Sequence, residues 1–196
     1  MAGEQGKDGR PVLAFASAAE WEAWLAAADR SSDGLWIKLA KRGAGVPSVS
    51  FAEALEVALC YGWIDSQAAG YDDRFYLQRF TPRRKRSKWS QINRNRATEL
   101  IAQGRMKPAG LEQVELAKAD GRWDAAYASP ANATVPDDLQ AALDADPKAA
   151  ETFAGLSASQ RYGVLYRLDD AKRPETRARR LEQFLARLSA GEKPID

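Results

Sequence analysis

The sequence predicts an α+β fold: a small mixed sheet with packed helices, followed by an all-helical C-terminal segment. Three observations carry this reading. Residues 34–43, GLWIKLAKRG, set Leu35, Ile37 and Leu39 against Trp36, Lys38 and Ala40, the two-residue period of a strand, bounded by glycines. Residues 63–83 hold two strand-like runs around a turn at Gly70–Asp73 with no helix between them, which argues for a hairpin rather than a wound parallel sheet. From residue 137 onward only helix-start signals and helical spacing remain.

In chain order, residues 1–10 are polar and Gly-rich and predict a flexible tail. RPVLAFAS reads as a short strand, and Ser17 with Glu20 forms a capping-box pattern. The helix it opens, AAEWEAWLAAAD, places Trp21, Trp24, Leu25 and Ala28 on one face. GAGVP is a turn, and Ser50 with Glu53 starts a second, apolar helix ending near Gly62. After the hairpin, a helix beginning at Ser87 or Trp89 carries Trp89, Ile92, Ala97, Leu100 and Ile101, and closes at Gly104. Pro108 suits the first turn of the next helix, with Gly121 past its end. The aperiodic stretch RWDAAYASPANATVPDD yields a domain reading of 11–127 for the α+β part, 128–136 for a linker and 137–196 for the helices.

The chain contains no histidine, which excludes Ser–His triads, imidazole acid–base chemistry and zinc sites that need imidazole. Its one cysteine, Cys60, excludes an internal disulfide and falls on an apolar helix, where packing is the expected role. Neither metal nor cofactor is expected. The N-terminus has no apolar signal region and no window has membrane-spanning length, so the expectation is a cytoplasmic protein. A homodimer is compatible with the sequence.

Net charge is only +2, so any electrostatic function must come from clustering. The cluster is RFTPRRKRSKWSQINRNR, residues 79–96, with Arg79, Arg83, Arg84, Lys85, Arg86, Lys88, Arg94 and Arg96 and no acidic residue. Guanidinium groups chelate phosphates and carboxylates, and a ring such as Trp89 can stack on a base. Basic side chains at a helix start oppose the helix dipole, so something other than helix stability favours them there. Asp65 and Arg79, on neighbouring hairpin arms, are expected to pair across the sheet beside Trp63. Trp36, out of phase with Leu35, Ile37 and Leu39, faces solvent or a second layer. Lys38, Lys41 and Arg42 can add charge to the same face, although the spacing in WIKLAKRGAGVPS is not that of a Walker loop.

LWIKLAKRGAGVPSVSFAEALEVALCYGWIDSQ, FYLQRFTPRRKRSKWSQIN and GRMKPAGLEQVELAKADGRWDAAY together resemble the YdeI/OmpD-associated, or bacteriocin-protection, family over residues 13–127. The tail RYGVLYRLDDAKRPETRARRLEQFLARLSAGEKP resembles its C-terminal helical segment. The resemblance implies a role in protection against bacteriocins or antimicrobial peptides and association with an outer-membrane porin, without an agreed catalytic activity or cofactor. It carries over as functional surface Trp36, Lys38, Lys41, Pro47 and Ser48 from the first motif, and Trp63 and Asp65 from its end. From the second it carries Arg79, Thr81, Pro82, Arg83, Arg84, Trp89, Ser90 and Asn93.

The leading expectation is therefore a non-enzymatic binding protein. It would hold an anionic ligand, a nucleic acid or a phosphorylated or carboxylated small molecule, through the basic Trp-bearing surface at 79–96. Two alternatives stay open: a histidine-free, metal-free enzyme with Asp65 as acid–base group and Arg79 as charge stabiliser, and a protein-interaction module acting through the helical tail.

Overall fold

The structure, a computed structural model, describes residues 4–28 and 32–195. Residues 1–3 of the expected tail and Asp29 of the first expected helix lie outside the described residues. The elements run β1 (Val12–Ala14), α1 (Ala18–Ala27), β2 (Leu35–Ala40), α2 (Phe51–Cys60), β3 (Trp63–Gly70), β4 (Phe75–Pro82), α3 (Gln91–Ala102), α4 (Pro108–Ala119), α5 (Asp137–Ala145), α6 (Pro147–Ala154), α7 (Ala158–Asp169) and α8 (Pro174–Ser189). This is the α+β class with a mixed sheet and a helical C-terminal part, in the element order read from the sequence. The chain divides into two compact units, residues up to 89 with 93–126, and residues 90–92 with 127 onward.

In the first unit the sheet order is β1-β2-β4-β3. β1 lies parallel to β2, and both β2–β4 and β3–β4 are antiparallel. Ser50 and Glu53 close a full capping box on α2. At α1, Ser17 accepts from the Glu20 N–H while the Glu20 carboxylate reaches the Ala16 N–H instead. Register partners share a face of the sheet. Leu35, Ile37 and Leu39 point inward with Phe80 into a core built with Trp21, Leu25, Val57 and Trp63. Trp36 points the other way and packs with Val12 and Leu77. A second core joins Leu59, Cys60, Trp89, Leu100 and Val114. α3 begins at Gln91, later than expected, and Ile92 is exposed rather than part of its apolar face.

Residues 4–10, expected as tail, form a short looped strap. The Gly6 N–H donates to Arg10 O and the Val12 N–H to Glu4 O, at 2.8 and 2.9 Å. In the second unit, α5–α8 enclose Leu139, Leu143, Phe153, Leu168 and Leu188. Residues 128–136 carry no helix or strand, and Tyr162 donates its hydroxyl proton to Ala128 O.

Candidate functional site

The basic stretch does not form one patch, because the fold sorts its cations into three environments. Arg79 and Arg96 are neutralised by acids from distant parts of the chain. The Arg79 guanidinium meets Asp8 at 3.4 Å and donates to Ser66 Oγ at 2.8 Å. Arg96 meets Glu56 at 2.9 Å, and Arg105 meets the other oxygen of Glu56 at the same distance. Arg83 is buried: its guanidinium carbon lies 3.5 Å from the centre of the Trp89 ring, and Nη1 donates to Lys88 O at 3.2 Å. The turn that follows, Arg84, Lys85 and Arg86, is exposed and makes no ion pair to an acidic side chain among the described residues; Lys88 is exposed as well, and half-buried Arg94 reaches the Asn95 amide oxygen.

That turn is held rather than loose. The Arg84 N–H donates to Ser87 Oγ and the Ser87 N–H donates back to Arg84 O, at 2.9 and 2.8 Å. Ser87 O in turn accepts from Arg122 Nη1 at 2.7 Å, and Asp120 fixes Arg122 through Nε at 2.8 Å. Buried Arg83 anchors one end and buried Trp89 the other. Three exposed cations are thus presented on a short, cross-braced turn.

The three tryptophans named for the site from the sequence are all buried. Trp89 is 1% exposed, Trp63 6% and Trp36 7%. Trp63 packs edge-on to Trp21 and Trp24. Trp36 does face away from its neighbours as expected, but the strap covers it, and its Nε1–H donates to Asp8 Oδ1 at 2.9 Å.

The expected Asp65–Arg79 pair does not form. Asp65 sits opposite Phe80 while Arg79 sits opposite Trp36, so the two side chains leave opposite faces of the sheet. Burial pushes the Asp65 carboxyl above its ordinary value, against the pull of its own backbone N–H and of Arg83. A cleft of about 220 Å³ lies nearby, lined by Trp63, Pro82, Arg83, Glu112 and neighbours; neither Asp65 nor Arg79 lines it. The constellation required by the enzyme reading is therefore not assembled.

The remaining sequence candidates have local duties. Ser48 Oγ accepts from the Ala40 N–H and donates to Val49 O, tying the β2–α2 loop. Lys41 is exposed and its N–H donates to Arg74 O. Thr81 is half-buried opposite Ile64, and Ser90 bridges Tyr127. Asn93 lies in the first turn of α3. Lys38, by contrast, joins Trp36 and Arg79 on the outer face. Its ammonium bonds Glu4 Oε2 and the Tyr71 hydroxyl, each at 2.6 Å. Burial lowers its pKa, but those two bonds outweigh burial and raise it. Sequence reasoning missed Glu4, Asp8, Ser66 and Tyr71. Their partners lie 13 to 71 residues away, and no local pattern marks them.

The fold and this surface together define a small α+β protein that projects a braced cationic turn, while Arg79 and Arg96 of the same stretch are paired with carboxylates. Residues 13–113, just over half of the chain, match the family described as Domain of unknown function (DUF8412), and the chain belongs to that family. Residues 132–191 match the family described as Bacteriocin-protection, YdeI or OmpD-Associated. The resemblance seen in the sequence thus stands on the helical tail, while the stretch that holds the strands matches the first family. No curated protein and no solved structure matches the chain. No described helix is long and apolar enough to cross a membrane.

Proposed function

We propose that the chain is a non-enzymatic, cytoplasmic binding protein of the bacteriocin-protection type that engages an extended phosphate polyanion, such as a nucleic-acid backbone, through Arg84, Lys85 and Arg86. The observation that carries this reading is the contrast in charge pairing. Arg79 and Arg96 find carboxylates and Arg83 is stacked on Trp89, whereas the three residues of the turn are exposed without an acidic partner among the described residues. An exposed turn that lines none of the clefts described suits a polymer backbone better than a small molecule, which needs a concave site to bury its surface. With the tryptophans buried, affinity comes from phosphate contacts and not from base stacking, so little sequence preference is expected.

The test is a salt titration of binding to duplex DNA and RNA. Three phosphates neutralised give a slope of log K against log[salt] of about −2.7, roughly a fortyfold loss between about 50 and 200 mM salt. Arg84→Glu/Arg86→Glu should abolish binding or flatten the slope to about −0.9. Binding that is absent, or indifferent to both salt and the double substitution, refutes the proposal.

A further inference from the structure

The outer face of the sheet carries a second arrangement, independent of the cationic turn. Four side chains there present hydrogen-bond donors: the Trp36 indole N–H, the Lys38 ammonium, the Tyr71 hydroxyl and the Arg79 guanidinium. The carboxylates that receive them come from one short segment. Glu4 Oε1 accepts from Tyr71 and Oε2 from Lys38, both at 2.6 Å. Asp8 Oδ1 accepts from Trp36 at 2.9 Å, and Oδ2 faces Arg79 at 3.4 Å and Arg10 at 2.8 Å. The nearby Asp72 does not substitute for them, because its Oδ1 is committed to the N–H groups of Arg74 and Phe75 in the hairpin turn.

The segment meets the sheet by backbone only at the β1 edge, where the Val12 N–H donates to Glu4 O and Gln5 bridges Pro11. Its other backbone bonds run within itself, and none reaches β2, β3 or β4 among the described residues, where contact is through side chains. Gly6 rests flat on the Trp36 indole: a Cβ there would stand 2.7 Å from Cδ1 and 2.8 Å from Nε1. The paired groups keep partial solvent access, 19% for Lys38 and 42% for Glu4, and partly exposed ion pairs of this kind add little net stability. The contact is thus specific in chemistry and weak in attachment.

We infer that the outer face formed by Trp36, Lys38, Tyr71 and Arg79 is a binding site for a looped peptide segment bearing two carboxylates four residues apart, and that residues 4–8 occupy it in cis. The strap is the site's own intramolecular competitor. A tethered segment acts at a high effective concentration, so an external segment binds well only when the strap is displaced. A partner with a better-matched acidic segment gains both cations and the Trp36 surface at once.

The test uses the full chain and a labelled peptide of residues 4–10, EQGKDGR, with QQGKNGR as the control that lacks both side-chain carboxylates. Glu4→Gln/Asp8→Asn removes both cis carboxylates, and Gly6→Val lifts the strap by collision with Trp36 without touching a charge. Each should bind EQGKDGR about tenfold or more tighter than the wild type, because the competing tether is lost. Neither should bind QQGKNGR, and adding Lys38→Ala or Arg79→Ala should cancel the gain. The inference is overturned if neither variant gains affinity, or if the gain survives loss of Lys38 and Arg79. Failure of both variants to fold would also overturn it, since the strap would then be part of the core and not a displaceable occupant.

Discussion

Gly110 is the sharpest test of how the first unit is packed. It is a buried residue of α4, and a Cβ built on it would stand 2.3 Å from Cys60 O and 2.8 Å from Leu59 O. Those oxygens are backbone at the end of α2, and Cys60 O is further held by the Lys107 N–H at 3.0 Å. No side chain can rotate away, so a methyl group forces α4 off α2 and loosens the packing of Val114 and Ala117 beside Leu59 and Cys60. Gly→Ala in a helix interior returns about 1 kcal/mol of propensity. Overpacking against an immobile partner costs about 3 kcal/mol, the upper end of the usual range. Gly110→Ala should therefore destabilise by about 2 kcal/mol, lowering Tm by roughly 4–8 °C for a chain of this size. The assay is thermal unfolding followed by circular dichroism. Gly155→Ala is the control: its Cβ would meet nothing closer than 3.6 Å and its φ is −77°, so Tm should hold or rise slightly. A Gly110→Ala protein that melts at or above the wild type would refute the close α2–α4 approach.

Two further outcomes follow from single groups. Burial pushes the Cys60 thiol up, against the pull of Arg105, so a disulfide reagent at mildly alkaline pH should leave Cys60 untouched until the protein is unfolded; prompt reaction of the native chain would contradict its placement. Arg177 grips Asp138 through two bonds, at 2.6 and 2.7 Å, and holds that carboxyl below its ordinary value. Because the folded value lies below the unfolded one, this stabilisation is complete above about pH 4 and fades as pH falls through the folded value. Arg177→Ala should cost about 1 kcal/mol in urea unfolding at neutral pH, and a gap from wild type that fails to narrow in acid would count against the pair.

The element order was legible because its signals are local. Ser17, Ser50 and Ser157 stand at helix starts with Glu or Gln three residues on; all three cap, and the full reciprocal box forms at Ser50 and Ser157. Pro108, Pro147 and Pro174 open their helices in the position where a missing N–H costs nothing. Trp36 was legible in phase, since alternation alone sets it against Leu35 and Ile37, but its cover was not. The strap is glycine-rich and polar, which by composition reads as tail, and what orders it are contacts reaching from Glu4 to Tyr71 and from Asp8 to Arg79. The same blindness to register produced the Asp65–Arg79 pairing. Sequence separation places both residues on one hairpin, but only the register shows that Asp65 faces Phe80. Gly110 reads as an ordinary weak helix position until Cys60 O is placed against it.

The two candidate surfaces differ in how their charge is managed, and that difference argues for different partners. On the outer face Lys38 and Arg79 each already have a matched carboxylate, so the segment proposed above to bind there is one that imitates the geometry of Glu4 and Asp8. On the turn no carboxylate among the described residues answers Arg84, Lys85 or Arg86, and the backbone beneath them is braced instead. Ser87, Arg122 and Asp120 lock the turn, while Arg83 lies over the Trp89 ring at its base. A solvated charged loop needs no such bracing. Fixing the backbone in advance lowers the ordering cost of binding, which is what the proposed engagement of a polyanion by three individually weak contacts requires.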